Sequence, residues 1–134
     1  MNALLDSSVL IDLLRGHIGA EAEIEKLRLN GAVFYTSTLS LYEVLCGLTL
    51  VSKRHPNRMN AFETMVSSIH VLDFNPSCAK KSAQIFAQLR AAGKPADGLD
   101  YLVAGTALSS GIDVIVSANK KHFEHIDGLK VIGY

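Results

Sequence analysis

Apolar residues fall along this chain in short runs that alternate with stretches of helical spacing. The first run, Ala3-Leu4-Leu5, stops at Asp6, and Val9, Leu10, Leu13 and Leu14 follow almost at once. A short buried strand, a turn at Asp6-Ser7 and a helix account for that pattern. Ala20, Ile24 and Leu27 draw one apolar stripe along a charged segment ending at Asn30-Gly31, which predicts a surface helix. Ala32 to Tyr35 is rich in strand formers. Thr36-Ser37-Thr38 then leads into a helix through Leu39, Leu41, Tyr42, Val44, Leu45 and Leu48. Met59, Phe62, Met65 and Val66 mark another helix, its methionines serving as core filler. Ile69 to Leu72 is a strand in which His70 has a structural role. The next helix, opened by Asn75-Pro76-Ser77 and closed by Ala92-Gly93, takes its stripe from Ala79, Ala83, Phe86 and Leu89. Leu99, Leu102, Val103 and Ala107 form the face of one more helix, which stops at Ser110-Gly111. Val114-Ile115-Val116 is the most β-branched run, and after a short turn or helix at His122-Phe123 the last strand spans Leu129 to Ile132.

The resulting order, β-α-α-β-α-α-β-α-α-β-α-β, predicts an α/β sandwich around a mainly parallel sheet, with strand order left open. The length of 134 residues suits one domain, 1–134, and 49% apolar content is enough for a sizeable core. Thirteen basic and thirteen acidic side chains cancel, so any nucleic-acid contact has to use a local patch. Cys46 and Cys78 lie in apolar helical contexts without metal-type spacing, as buried thiols of a reduced, cytoplasmic protein do. The sequence shows no charged-then-apolar leader and no run of about eighteen apolar residues, so no membrane association is expected.

Candidate chemistry gathers where the strand runs end. Asp6, the Thr36–Thr38 segment with Glu43 beyond it, and Asn119 all follow strands, and Asp100 opens a helix. In a parallel sheet those strand ends share one edge. Each acid also has a purely structural reading. Asp6 suits an N-cap, Ser40-x-x-Glu43 fits a capping box, and Asp97 and Asp100 complement a helix dipole. Carboxylates gathered in one pocket repel each other, and a hard divalent cation such as Mg²⁺ or Mn²⁺ resolves that repulsion. Carboxylate-held Mg²⁺ with open positions suits phosphodiester hydrolysis. The sequence has no Walker-type loop, no G-x-G-x-x-G, no G-x-S-x-G and no paired histidine spacing, which disfavours nucleotide-driven, dinucleotide, serine-hydrolase and zinc chemistry. The basic turn Lys53-Arg54-His55-Pro56-Asn57-Arg58 is either a solvated loop or a phosphate-contacting patch.

Four segments, Leu4 to Asp12, Ser37 to Glu43, Asp100 to Ala107 and Val116 to Phe123, resemble the four blocks of PIN domains. They are similar in particular to the VapC toxins of prokaryotic toxin–antitoxin pairs. The resemblance spans Leu4 to Val131 and is weakest from Gly47 to Arg90. It implies a three-layer α/β/α sandwich with a central parallel sheet, Mg²⁺- or Mn²⁺-dependent endoribonuclease activity, a cognate VapB-type antitoxin and a homodimer. The family's acids fall on Asp6, Glu43 and Asp100, which would hold the metal. Its fourth acid position holds Asn119, an amide able to position a ligand water, with Asp97 as the candidate additional acid. Ser7 is expected either to hold Asp6 or a phosphate oxygen, or only to open the helix. Lys53, Arg54, Arg58, Lys120 and Lys121 are candidates for RNA phosphate contacts. The competing expectation, suggested by Asn119 and the zero net charge, is a PIN-like module that binds RNA or protein without cutting. A weaker one is a phosphatase-like domain using Asp6 as nucleophile.

Overall fold

A computed structural model of the chain describes residues 1–96 and 98–134. Strand β1 (Asn2–Leu5) is followed by helices α1 (Ser7–Leu14) and α2 (Ile18–Leu29), then β2 (Val33–Ser37), α3 (Thr38–Val51) and α4 (Pro56–Val66). Strand β3 (His70–Leu72) precedes α5 (Pro76–Ala91) and α6 (Asp100–Ser109). The chain continues with β4 (Val114–Val116), a 3₁₀ turn at Lys120–His122, and β5 (Lys130–Ile132). This is the expected order of elements.

The strands form one sheet, β3-β2-β1-β4-β5, parallel throughout. Successive side chains on a strand point to opposite faces, and here they divide the core in two. Ala3, Leu5, Val114 and Val116 pack on Val9, Leu10, Leu27, Val44, Leu48 and Phe62 of α1 to α4. Leu4 and Ile115 pack on Ile85, Leu89, Val103, Ala104 and Ala107 of α5 and α6, with Phe123 and Ile126. The runs are apolar without alternation because both faces of the sheet are covered. Crossovers from β1 run to β2 on one side, whereas β4 lies on the other side of β1. The sheet therefore changes direction between β1 and β4, the position where open α/β sheets form a crevice at the carboxyl ends of their strands.

Some expected faces need correction. Helix α5 buries Cys78, Ser82, Ile85 and Leu89, one position before most of the expected stripe, and leaves Ala79, Ala83 and Phe86 exposed. The cause is close packing on α6: a Cβ on Gly105 would lie 2.9 Å from the Ser82 backbone nitrogen, so only small residues fit at the crossing. On α3, Ser40, Val44 and Leu48 are buried, while Tyr42 is 61% exposed and Leu45 points outward. Cys78 is buried as expected, but Cys46 is exposed on that outer face of α3. His70 is a strand residue whose ring lies 5.0 Å from that of Tyr35. Among the described residues no helix is long and apolar enough to cross a membrane.

Candidate active site

Asp6 leaves the central strand directly beside β4, its backbone N–H donating to the Val116 carbonyl at 3.0 Å. It occupies the N-cap position of α1, yet its side chain makes no capping hydrogen bond. The carboxylate is only 3% exposed and is held by two hydroxyls. Ser8 Oγ and Ser117 Oγ each donate to Asp6 Oδ2 at 2.9 Å. Both hydroxyls are themselves fixed by backbone donors: the Ala118 N–H reaches Ser8 Oγ and the Asn119 N–H reaches Ser117 Oγ, each at 3.0 Å. Oδ1 is buried without a hydrogen-bond partner. The capping role is thus not what the side chain does, and the residues that hold Asp6 are Ser8 and Ser117 rather than Ser7.

Glu43 lies well inside α3. The helix begins at Ser37, whose Oγ accepts from the Ser40 N–H at 3.0 Å, which excludes the Ser40–Glu43 capping box. Glu43 Oε1 is buried and unpartnered. Burial pushes the Glu43 carboxyl above its ordinary pKa, the charges of Asp6 and Asp100 add to this, and the Ser7 hydroxyl pulls it part of the way back. Asp100 opens α6, and His122 Nδ1 stands 3.0 Å from its Oδ2. Burial raises the Asp100 carboxyl, against the attraction of His122 and with repulsion from Asp6. Asn119 is exposed and joins the site through its backbone N–H, its side chain making no capping bond. Asp97 lies outside the described residues.

Three acids are thus electrostatically coupled at the crevice, and two buried carboxylate oxygens lack partners. An all-oxygen donor set of this charge suits a hard cation. Among the described residues no three His, Cys, Asp or Glu side chains lie close enough together to grip one ion directly. That arrangement fits a hydrated Mg²⁺, which retains several waters and needs direct contact with only one or two carboxylates.

The raised pKa values have a thermodynamic sign. A carboxyl that holds its proton more tightly in the folded state stabilises the fold below its unfolded pKa and loses that contribution as pH rises through its folded pKa. In metal-free protein, Glu43→Gln is therefore expected to gain stability relative to wild type as pH is raised from about 4 to 7. Paired urea denaturation curves across that range check it, and a wild-type advantage that grows with pH would contradict the raised pKa.

Two grooves flank the acids. One, of about 410 Å³, runs from Asp100 past Tyr101, Lys94, Lys121, His122 and His125. The other, of about 360 Å³, is lined by Ile11, Leu14, Leu48 and Leu50 with Arg15 and Arg58, and reaches Glu43. Of the expected basic contacts, Lys121 and Arg58 therefore lie beside an acid. Lys120 is exposed in the 3₁₀ turn, and Lys53 and Arg54 are exposed in the turn after α3, and they line neither groove. Sequence reasoning passed over Lys94, His122 and His125. His122 carried a signal, since it falls within the fourth motif block next to Lys121.

A central parallel sheet between two helical layers, with acids at the carboxyl ends of its strands, is the arrangement expected of PIN domains. The PIN domain family matches residues 3–129, and this chain belongs to it. The chain is 30% identical over 127 residues to a protein of Shigella flexneri named tRNA(fMet)-specific endonuclease VapC, covering 95% of this chain and 93% of that relative. The DNA-bound VapBC structure from Salmonella typhimurium matches with a TM-score of 0.84 at 28% identity, covering 99% of this chain and 98% of that one. VapBC2 from Rickettsia felis, bound to a DNA fragment from the promoter, has a TM-score of 0.87 at 20% identity over 100% and 99% of the two chains, a likeness of fold. The three-layer α/β/α sandwich and the family read from the four motif blocks are both borne out.

Proposed function

We propose that this protein is a metal-dependent endoribonuclease, the toxin of a toxin–antitoxin pair. The observation that carries the reading is the crevice between β1 and β4, where burial and the charge of Asp6 raise the proton affinity of Glu43 and Asp100, and buried oxygens of Asp6 and Glu43 lack partners. The names of the VapC relatives support it. Asp6, Glu43 and Asp100 are the residues that would hold Mg²⁺ or Mn²⁺. When bound, such an ion lowers the pKa of a coordinated water and neutralises charge on the scissile phosphate. Ser8 and Ser117 hold Asp6 by Oδ2 and leave Oδ1 without a partner, available to a cation. One of the site's carboxylates accepts the proton that the attacking water gives up. Lys121 places positive charge in the groove beside Asp100 for a phosphate, with the His122 ring at the same acid, and Asn119 stands at the crevice rim to position water.

For the antitoxin, the apolar groove between α1 and α3 suits an amphipathic segment, and its opening onto Glu43 lets an inserted arginine pair with the acids. The exposed Tyr42, Leu45 and Cys46 on the outer face of α3 support self-association as a homodimer. The protein acts in the cytoplasm, with RNA as substrate.

The test is incubation of total RNA with purified protein in Mn²⁺, Mg²⁺ or EDTA, alongside Asp100→Asn. Discrete cuts that need the metal and fade in the variant are expected. Cuts indifferent to EDTA would refute the mechanism. A PIN-like module that binds without cutting is the second reading, favoured by the amide at Asn119 and the absence of a closed three-ligand cluster among the described residues. Retained RNA binding with no calorimetric Mn²⁺ binding and no cleavage of total RNA would establish it, whereas Mn²⁺ binding without cuts would indicate a nuclease of narrow substrate choice.

A further inference from the structure

We propose that the groove beside Asp100 is a subsite for single-stranded RNA, in which a base next to the scissile phosphate stacks on Tyr101 while Lys94 and Lys121 hold the flanking phosphates. The inference rests on the nuclease reading and adds to it the path of the substrate. Three observations carry it. First, the groove starts at a catalytic acid, so a strand lying in it is already in register with the crevice. Second, its charge is opposite to that of the crevice. Among its described lining residues the lysines Lys94 and Lys121 stand against Asp100 alone, although the whole chain is neutral. The His122 ring is taken up by Asp100 and that of His125 lies 3.8 Å from Glu124, and neither lysine has an ion-pair partner among the described residues.

Third, one aromatic side chain, Tyr101, lines the groove. Tyr101 is partly exposed in it, the Phe86 ring lies 5.8 Å away, and the Arg90 guanidinium sits 5.7 Å from the Phe86 ring centre. Phe86 is 40% exposed because α5 is rotated to bury Ser82 against Gly105. Cationic side chains tracking a backbone, with an aromatic face for the bases, are what unpaired nucleic acid requires, since stacking and phosphate contacts tolerate any sequence. A duplex hides its base faces and offers nothing for Tyr101 to stack on.

The experiment uses a single-stranded RNA of about ten nucleotides carrying 2-aminopurine, a length within the usual range for one such site. Binding is followed by fluorescence to wild-type protein in EDTA and to Asp6→Asn protein in Mg²⁺. Quenching of the 2-aminopurine on binding is expected. Tyr101→Leu, which keeps apolar volume in the core, is expected to weaken binding about tenfold and to abolish the quenching, while Tyr101→Phe retains both. Lys94→Ala and Lys121→Ala are each expected to lower the slope of log affinity against log salt by about 0.7. Melting curves of each variant separate lost binding from lost fold. Binding that is unaffected by Tyr101→Leu and by both lysine substitutions overturns the proposal, as does absence of quenching with wild-type protein. The parent reading fails separately: if wild-type protein cuts no RNA but shows this binding pattern, the nuclease is refuted and the subsite stands. If it cuts and the variants bind unchanged, only the subsite is refuted.

Discussion

Asp6→Asn is expected to lower RNA cleavage at saturating metal by about a hundred- to a thousandfold, the loss typical of removing one preorganised charge from an active site. The fold should survive the change. Asparagine has nearly the shape of aspartate, and its carbonyl oxygen in the Oδ2 position still accepts from Ser8 and Ser117. Its amide then occupies the place of the unpartnered Oδ1, exchanging a buried charge for a neutral donor. In metal-free protein this also relieves repulsion on Glu43 and Asp100, so the melting temperature should equal or exceed that of wild type. Activity assays and melting curves on the same preparations check both halves. A Ser8→Ala/Ser117→Ala protein should lose less, about ten- to a hundredfold, because the charge remains and only its aim is lost. Cleavage undiminished in Asp6→Asn would remove Asp6 from the chemistry.

The largest effect on stability is expected at Gly105, inside α6. Alanine is the better helix former by about 1 kcal/mol, so propensity alone would favour Gly105→Ala. Packing reverses the sign. The added Cβ would press on the Ser82 hydroxyl and sit 2.9 Å from the Ser82 backbone nitrogen and 3.0 Å from its Cα. The hydroxyl can rotate away, but the backbone of α5 can retreat only by separating from α6 along the whole crossing. The net cost is expected to be about 2–3 kcal/mol, the usual range for forced overpacking. Ser82→Ala alone should be neutral or stabilising, because Ser82 Oγ is buried with no partner. Adding it to Gly105→Ala should recover only part of the loss. Urea unfolding of the two single variants and the double variant decides the matter, and a stabilised Gly105→Ala protein would contradict the packing of α5 on α6.

Residue by residue, what the sequence made legible depended on range. Val114–Val116 and Ala3–Leu5 were readable as strands because each run is short, apolar and stopped by a polar residue. Asp6 was readable as a strand-end acid for the same reason. The start of α3 was readable only to within Thr36–Ser40, because the Thr36-Ser37-Thr38 segment and the Ser40–Glu43 box both offer a cap. The buried face of α5 was not readable, because an apolar stripe assumes that large residues go inward, and here Cys78 and Ser82 go inward while Phe86 is displaced by the Gly105 contact. The hydroxyls on Asp6 were equally hidden. Ser8 shares its neighbourhood with Ser7, and nothing local distinguishes them; the choice is made by Ser117, 109 residues from Ser8 along the chain. Asn119 was legible as a motif position, yet the part of it that works in the Asp6 network is its backbone N–H, which every residue but proline offers.

The clamp on Asp6 has a consequence for when the protein becomes competent. One hydroxyl comes from the first turn of α1 and the other from beyond β4, and β1 pairs with β4 at Leu4 and Ile115. During synthesis the N-terminal half emerges first and can fold its own helices, but the carboxylate stays unaimed until β4 has docked. A nascent chain therefore has no aimed Asp6 until β4 has emerged and docked beside β1. Premature termination before β4 would for the same reason yield an inert product.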